Sequence, residues 1–204
     1  MAAFIFTLLL GVTDMIELPP PKFTGCAIEE CIEKRRSVRA YTNKALTPQQ
    51  VSNVLWAAQG ITEMRGGLRS APSAGATYPL VIYAATKDGL FRYMPESHTL
   101  QRAGSEDVRQ RIAKASLGQG FIASAGLVVV ITAIYDRTTY RYGERGIRYV
   151  HIEAGHAAQN IHLEAVALGL ASVPVGAFKD DELAELLGLK EEEPLYVIPV
   201  GYAD

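Results

Sequence analysis

A dense group of cationic side chains occupies the segment KRRSVRAY, which runs from Lys34 to Tyr41. Within it, Arg35, Arg36 and Arg39 surround the hydroxyl group of Ser37. Guanidinium groups match the geometry of phosphate oxygens and form strong charge-assisted hydrogen bonds, to which a serine hydroxyl can add one more. The segment therefore has the composition of a site for one compact anion. A solvated helix end or a nucleic-acid patch would use the same residue types.

The overall charge of the chain bears on the choice between these alternatives. The protein has 204 residues, with 20 Lys and Arg against 22 Asp and Glu, and its formal net charge at pH 7 is −2. Such a balance creates no global positive field that would attract nucleic acid or an anionic membrane. The basic segment must therefore act locally, and we expect no nucleic-acid and no membrane partner.

Composition indicates one globular domain. With 49% hydrophobic and 21% charged residues, the chain is typical of a soluble protein with a sizeable core. The apolar run AFIFTLLLGV at positions 3–12 is too short to cross a bilayer and lacks the basic start and cleavage site of a secretory signal. We predict an N-terminal extension and Pro-rich linker over residues 1–22, a single domain over 23–204 and a cytoplasmic location, with export as a lesser alternative.

The two cysteines, Cys26 and Cys31, are five positions apart. In a helix this spacing turns the two side chains away from each other, so we expect no disulfide between them. We interpret both as reduced thiols of a cytoplasmic protein.

Helical signals lie on both sides of the basic segment. Apolar residues at helical spacing predict a helix over Ile28–Lys34, which places the basic side chains at its C-terminal end. A second helix is predicted over Pro48–Gln59, because Thr47 and Gln50 can form a capping box and proline is favoured at the first helical position. The Gly-, Ser- and Ala-rich segment Arg65–Pro79 has no hydrophobic period and is predicted to be a loop.

The rest of the chain predicts an α+β fold with a mixed or antiparallel sheet flanked by helices. Three strands separated by turn signals indicate an antiparallel meander, and a continuous apolar run indicates a strand buried on both faces. The predicted bounds are Leu80–Thr86, Gly89–Met94 and His98–Ala103 for the meander, Ser105–Lys114 for a helix, Ala125–Tyr135 for the buried strand, Arg145–Gly169 for a long helix, and Ala171–Gly176, Asp180–Leu187 and Pro194–Gly201 for a final strand, helix and strand.

The long helix Arg145–Gly169 has apolar residues around most of its circumference, so we expect it to be buried. Small residues in its middle would let another helix approach closely, and a second copy of the chain could supply that helix. The small residues are Ala154, Gly155, Ala157 and Ala158.

Five motifs follow one another along the chain: RRSVRAY, LTPQQVSNVLWAAQGIT, SAPSAGATYPL, TTYRYGERGIRYVHIEAGHAAQNIHLEAVALGLASVPVGAF and PLYVIPVG. Together they resemble the FMN-dependent nitroreductase family, and most of all its SagB-type dehydrogenase branch. The resemblance spans Leu18–Gly201 and does not depend on any single motif. It implies a dimeric, nitroreductase-like FMN-binding fold with FMN at the subunit interface. It also implies transfer of hydride from NADH or NADPH to a small nitroaromatic or quinone-like acceptor.

The same resemblance implies that the basic segment holds the FMN phosphate and reaches the pyrimidine edge of the flavin ring. A cation at that edge stabilises the negative charge of reduced flavin. The residues concerned are Arg35, Arg36, Ser37 and Arg39, which we call the anion clamp.

Two further segments would contact the flavin, according to the resemblance. A loop of small residues would pack against the ring from the neighbouring subunit, since a flat ring must lie close to backbone. A turn after a strand would present a backbone N–H to flavin N5. Composition alone would give only an ordinary loop and an ordinary turn. The loop consists of Pro72, Ser73, Ala74, Gly75 and Ala76, and the turn of Pro174, Val175 and Gly176.

Two departures from the family pattern affect these roles. Many members bring further basic residues to the phosphate from beyond the last strand, but no Lys or Arg follows Lys190 here. Members that oxidise azoline rings use a Lys-Tyr pair where this chain has Arg141 and Tyr142, which are candidates near the substrate. Arginine stays protonated and is a poor proton acceptor. An azoline dehydrogenase acting on modified peptides and a non-enzymatic flavin-storage protein stay as alternatives.

The histidines His151, His156 and His162 lie five and six positions apart, which does not reproduce the pairing of a zinc-binding helix. We therefore expect buried or interface histidines and no metal site.

Overall fold

The computed structural model describes residues 15–204, which form the following helices and strands. The helices are α1 (Ile28–Lys34), α2 (Pro48–Gln59), α3 (Arg109–Ala115), α4 (Phe121–Ser124), α5 (Asp136–Tyr142), α6 (Arg145–Ala167) and α7 (Asp180–Leu187). The strands are β1 (Met15–Glu17), β2 (Ile61–Glu63), β3 (Leu68–Arg69), β4 (Leu80–Thr86), β5 (Gly89–Met94), β6 (Thr99–Gly104), β7 (Leu127–Ala133), β8 (Ala171–Ser172) and β9 (Glu193–Gly201).

The main sheet has the strand order β1-β6-β5-β4-β7-β9-β8, and each neighbouring pair is antiparallel. Its inner strand β7 has the sequence LVVVITA and is buried along its whole length. Alternate residues of β7 belong to two hydrophobic clusters, one on each face of the sheet, because helices cover both faces. The predicted α+β fold with an antiparallel sheet flanked by helices is therefore confirmed.

Helix α2 begins where its capping residues predict. The Thr47 backbone N–H donates to Gln50 Oε1 at 2.9 Å, and the Gln50 N–H donates to Thr47 Oγ1 at 3.2 Å. This reciprocal pair satisfies backbone groups that the first turn of a helix leaves without partners. Helix α2 is thereby fixed against α6, which lies on one face of the sheet.

Helix α6 buries one face and exposes the other. Its buried residues follow helical spacing and include Val150, Ala154, Ala157, Ile161 and Ala165. On the opposite face Ile152 keeps 48% of its surface accessible. The expectation that this helix is buried all round thus holds for one face only in a single chain. We call the exposed residues Arg148, Ile152, Gly155 and Gln159, which lie at spacings of three and four, the exposed stripe.

The segment before α1 is attached to the domain. Strand β1 pairs with β6, with Met15 opposite Gln101. The Lys22 N–H donates to Asn53 Oδ1 at 3.1 Å, and Asn53 Nδ2 donates to the Lys22 carbonyl at 2.7 Å. The predicted linker therefore contacts α2. The apolar run at positions 3–12 lies outside the described residues, and no helix within residues 15–204 is both long and apolar enough to cross a membrane.

Three predicted elements differ from the observed ones, and the first is the strand Ala171–Gly176, of which only Ala171–Ser172 is observed as β8. The helix predicted from Ser105 begins at Arg109, because Asp107 Oδ1 accepts the Arg109 backbone N–H at 3.1 Å and holds the chain in a turn. The segment Arg65–Pro79 was predicted as a loop, but it contains β3 and the short 3-10 turn Ala74–Ala76.

The cysteines also differ from expectation. Helix α1 begins at Ile28, so Cys26 precedes it, and the Cys26 Sγ lies 3.0 Å from the Cys31 Sγ. Both are free thiols. The spacing argument was wrong because only one of the two residues is helical.

Candidate functional site

The anion clamp lies along the edge of the main sheet. Ser37 forms a parallel bridge with Ser172 of β8, and the Val38 N–H donates to the Ser172 carbonyl at 3.1 Å. Strand β8 in turn pairs with β9, with Ser172 opposite Val200. A segment near the start of the chain is thereby held by the last two strands.

Arg35 is fixed by a buried histidine. Its Nη1 lies 3.4 Å from His162 Nε2, and His162 Nδ1 lies 2.6 Å from Ser172 Oγ. Burial, with a contribution from the Arg35 charge, lowers the pKa of His162 from 6.5 to about 4. The imidazole is therefore neutral at pH 7. Since Nε2 accepts from Arg35, Nδ1 carries the proton and donates it to Ser172.

Of the remaining clamp residues, one has a structural role and two have side chains that are free to bind a ligand. Arg36 Nη1 donates to the carbonyls of Glu33 at 2.8 Å and Arg35 at 2.7 Å, so it caps the C-terminus of α1. For Arg36 the helix-end interpretation is thus correct. Ser37 and Arg39 are exposed, and their side chains make no hydrogen bond or ion pair within residues 15–204. These two can bind an anion.

The turn Pro174–Gly176 follows β8, the strand that holds the clamp, by one residue. The Val175 N–H donates to the Val197 carbonyl at 2.8 Å, and the Val197 N–H donates to the Val175 carbonyl at 3.0 Å. Along β9 this pairing lies three residues from Val200, or about 10 Å. Gly176 is exposed, and a Cβ at this position would lie 3.5 Å from the Tyr196 ring. Its backbone is open to a flat ligand.

A cavity of about 360 Å³ lies between this turn and α6. It is lined by His151, Gly155, Gly176, Phe178 and Tyr196, among others. His151 is eleven positions before His162, which in a helix is about three turns or about 16 Å. Both histidines therefore lie on the same side of α6. The clamp and the turn lie beside β8 and β9, and the cavity adjoins the turn; we call these three features together the candidate groove.

The loop Pro72–Ala76 is fixed to α5. The Tyr78 N–H donates to Ser73 Oγ at 2.9 Å, and Arg141 Nη1 donates to the Gly75 carbonyl at 3.3 Å. Gly75 has a φ of +60°, and an added Cβ would lie 2.5 Å from Tyr142 Oη. Only glycine adopts this conformation without strain beside these two side chains. Arg141 and Tyr142 therefore support the loop directly.

A group of buried polar side chains lies beneath this loop. Glu153 is 2% exposed, and burial raises its pKa from 4.5 to about 7, opposed by Ser73, Arg69 and Gln59. Arg69 Nη1 donates to Gln59 Oε1 at 2.9 Å. Within the described chain, Glu153 Oε1, Gln59 Nε2 and Arg69 Nε are buried without a hydrogen-bond partner. Glu153 is not among the residues predicted for the site, although the sequence has this acidic residue among the apolar positions of α6.

The predicted site residues thus fall into two groups in one chain. Glu153, under the loop, and His162, beside the clamp, are nine positions apart, which at 100° per residue places them on opposite sides of α6. No hydrogen bond or ion pair within residues 15–204 joins the loop to the clamp. The structure brings the clamp and the turn together, and it places the loop with Arg141 and Tyr142 elsewhere.

Comparison with known proteins decides the family. A model of the nitroreductase family matches residues 32–202. The chain belongs to the nitroreductase family. A candidate nitroreductase of Methanocaldococcus jannaschii is 47% identical over 194 residues, which is 92% of this chain and 97% of that protein. Membership makes the protein an oxidoreductase.

Solved structures of this family share the fold. A candidate nitroreductase of Ralstonia eutropha JMP134 superposes with a TM-score of 0.86 at 31% identity, over 96% of this chain and 92% of that one. The NADPH:FMN oxidoreductase of Vibrio harveyi, solved with NAD+, superposes with a TM-score of 0.65 at 21% identity, over 87% of this chain and 69% of that one. At that level of identity the second comparison supports the fold alone.

Proposed function

We propose that this nitroreductase-family protein is an FMN-dependent NAD(P)H oxidoreductase that acts on a small nitroaromatic or quinone-like acceptor. The observation that carries the proposal is that the free side chains of Ser37 and Arg39, held beside β8, lie near the bare backbone of Gly176. The name of the Vibrio harveyi protein gives FMN and NADPH as its partners. We extend both to this chain because its groove has the features that they require.

The residues of the groove fit FMN. Ser37 and Arg39 are exposed and have no partner in the described chain, so their donors are available for a phosphate. Arg35 is held by His162, which stays neutral and so leaves the positive charge of Arg35 uncancelled. Gly176 carries no side chain that would keep a flat ring from the turn. When bound, FMN would carry hydride from NAD(P)H to the acceptor.

We further propose that the working unit is a homodimer. The loop Pro72–Ala76 has a role at the flavin in the family resemblance, yet it lies on the opposite side of α6 from the clamp. A second copy can bring its loop to the groove of the first if two α6 helices meet through the exposed stripe. The absence of a side chain at Gly155 favours such close approach, and Ile152 offers apolar contact.

The contacts of Arg141 favour one of the two enzymatic functions, the reductase, over the other, the azoline dehydrogenase. Its guanidinium donates to the Gly75 carbonyl and stays protonated at ordinary pH, so it can support the loop and cannot serve as a base. This favours the reductase over an azoline dehydrogenase, which needs a base near this position. The assignment to the SagB-type branch rests on the ordered sequence motifs. We also propose a cytoplasmic location, where NAD(P)H is supplied and two free thiols stay reduced.

An absorbance spectrum tests the proposal directly. The protein would be mixed with FMN, desalted and measured from 300 to 550 nm, then treated with NADPH or NADH without oxygen. We expect retained flavin bands that bleach. Bands that persist would favour the storage or azoline alternatives, and loss of flavin on desalting would contradict FMN as the ligand of the clamp.

A further inference from the structure

A tyrosine and a histidine without any assigned role meet at the wall of the cavity beside Gly176. Tyr135 Oη and His151 Nε2 are 2.6 Å apart, and the two rings meet edge to face with centroids 5.7 Å apart. Tyr135 packs against the core at the start of α5, whereas His151 is exposed on α6. The pair is therefore anchored at the tyrosine and open to ligand and solvent at the histidine.

The hydrogen bond leaves one imidazole nitrogen available. Nε2 of His151 is occupied by the Tyr135 hydroxyl, and Nδ1 makes no hydrogen bond within the part of the chain that the structure describes. His151 and Gly176 line the same cavity. A ligand in contact with the turn can thus reach the free nitrogen.

Both acidic and basic side chains surround Tyr135 and His151. Burial is the main cause that raises the pKa of Tyr135, and the carboxylates of Glu193 and Asp180 add to it. Tyr135 therefore stays a neutral phenol, and its role is to orient the imidazole. The charged groups that face His151 come from the cavity itself and from an adjoining surface pocket, and they are Asp180, Glu144, Arg145 and Arg148.

The proposed reaction needs a proton at the oxygen of the acceptor, which would lie in the cavity beside Gly176. Reduction of a quinone to a hydroquinone takes up one hydride, with its two electrons, and one proton. Reduction of a nitro group to a nitroso group takes up the same pair and releases water. NAD(P)H supplies the hydride, and in both cases the proton goes to an acceptor oxygen. A donor beside the cavity would raise the rate of this step.

We propose that His151, oriented by Tyr135, donates a proton from Nδ1 to the oxygen of a quinone or nitro acceptor in the cavity beside Gly176. His151 loses this proton to the acceptor and takes up another from water, to which it is exposed. The Tyr135 bond holds Nε2 so that Nδ1 is the nitrogen presented to the acceptor. This inference rests on the proposed reductase function.

Ligand binding gives a test that does not depend on turnover. Oxidised, FMN-loaded protein would be titrated with 4-hydroxybenzaldehyde, an aromatic carbonyl compound, and binding followed by the flavin absorbance. We expect His151→Ala to weaken binding about 2- to 10-fold, as loss of one hydrogen bond does. FMN affinity would be measured for the same variant, so that weaker binding of the aldehyde is distinguished from loss of the cofactor.

Rapid-mixing kinetics separate the proton step from electron transfer. Protein reduced with NADPH would be mixed with 1,4-benzoquinone, which takes up a proton, or with ferricyanide, which takes electrons only. We expect His151→Ala to slow reoxidation by benzoquinone about 100-fold and to slow reoxidation by ferricyanide much less. Tyr135→Phe should have a smaller effect. Tyr140→Phe is the matched control, because Tyr140 is 96% exposed.

The outcomes distinguish this inference from the function on which it rests. If His151→Ala slows ferricyanide as much as benzoquinone, the residue is structural and the inference is wrong. It is equally wrong if benzoquinone reacts at the wild-type rate. If the wild-type protein does not retain FMN or is not bleached by NADPH or NADH, the proposed function itself fails and takes this inference with it.

Discussion

The two sides of α6 carry different chemistry on one rigid helix. On the first side, buried His162 is neutral and holds Arg35, and the exposed cation Arg39 lies nearby. On the second side, buried Glu153 lies beneath the small-residue loop with a pKa near 7. Burial suppresses charge on both sides. We propose that the first side binds an anion through Ser37 and Arg39, and that the second supports a loop that another group can approach.

The largest expected effect comes from mixing chains that are defective on opposite sides. Arg39→Ala removes a free cation of the clamp, and Ala76→Trp puts bulk on the exposed loop while it leaves the clamp intact. Each variant alone should bind little FMN at a concentration that just saturates the wild type. After denaturation and renaturation of an equal mixture, half of the dimers are mixed and each has one intact site, so about one quarter of the sites should return.

The matched control for this experiment is a mixture of two variants that are both defective in the clamp, Arg39→Ala and Ser37→Ala. Every mixed dimer then keeps a defect in both sites, so no wild-type site should form. Recovery in the control, or none in the test mixture, would contradict a site shared between two chains.

The next prediction concerns how the free energy of unfolding depends on pH, because Glu153 and His162 affect it in opposite directions. The folded chain holds a proton on Glu153 up to about pH 7, so the free energy of unfolding falls as pH rises from about 4.5 to 7. The folded chain keeps His162 unprotonated down to about pH 4, so stability rises from about pH 4 to 6.5. Each contribution is about 3 kcal/mol, since one pKa unit corresponds to about 1.4 kcal/mol.

Two variants separate these contributions. We expect urea unfolding of Glu153→Gln to show stability that increases with pH relative to the wild type between pH 4.5 and 7. Unfolding of His162→Gln should show the reverse trend between pH 4 and 6.5. A difference from the wild type that does not change with pH would show that the residue does not titrate as its burial requires.

A smaller effect is expected from comparison of two arginines within the clamp. Arg39→Ala should weaken FMN binding by about 1.5 to 3 kcal/mol, roughly 10- to 150-fold, through loss of a charged hydrogen bond. Arg36→Ala should change FMN affinity much less, because Arg36 already donates to two carbonyls of α1. Fluorescence titration of FMN measures both. Equal losses would mean that Arg36 leaves its helix cap to bind the cofactor.

The smallest effect is expected in the loop. Gly75→Ala must place a side chain at a φ of +60°, which costs about 1 kcal/mol. The new Cβ would also displace the flexible ends of Arg141 and Tyr142. Thermal unfolding of Gly75→Ala should show a lower midpoint than that of Gly120→Ala, whose Cβ would meet nothing within 4 Å in the same chain. A Gly75→Ala chain as stable as the wild type would show that the loop adopts another conformation.

The elements that were predicted well are those fixed by neighbours in sequence. The bounds of α1, α2 and α7 match the predictions, since capping residues and helical spacing act within a few positions. The meander β4-β5-β6 matches because short turns join consecutive strands. The anion site read from the composition of the clamp stays a prediction.

The parts that were missed depend on distant contacts. Arg36 and Arg39 look alike in sequence, and only the end of α1 and the bridge from Ser37 to Ser172 give them different tasks. Glu153 meets the loop through tertiary packing, which no local period encodes. Cys26 and Cys31 approach each other because the helix begins between them. Local patterns identify the groups, and the fold decides which of them are free.

Strand β9 has a consequence for how the site comes into being during synthesis. It lies inside the sheet between β7 and β8, although it follows all the other elements in chain order. Until it arrives, β7 has an open edge of Val128, Val129 and Val130, which is a template for pairing with other chains. The clamp and the turn both depend on β9 for their positions, so a growing chain cannot complete the groove before its last strand is in place. If FMN binds in this groove as proposed, only molecules with β9 in place can bind it.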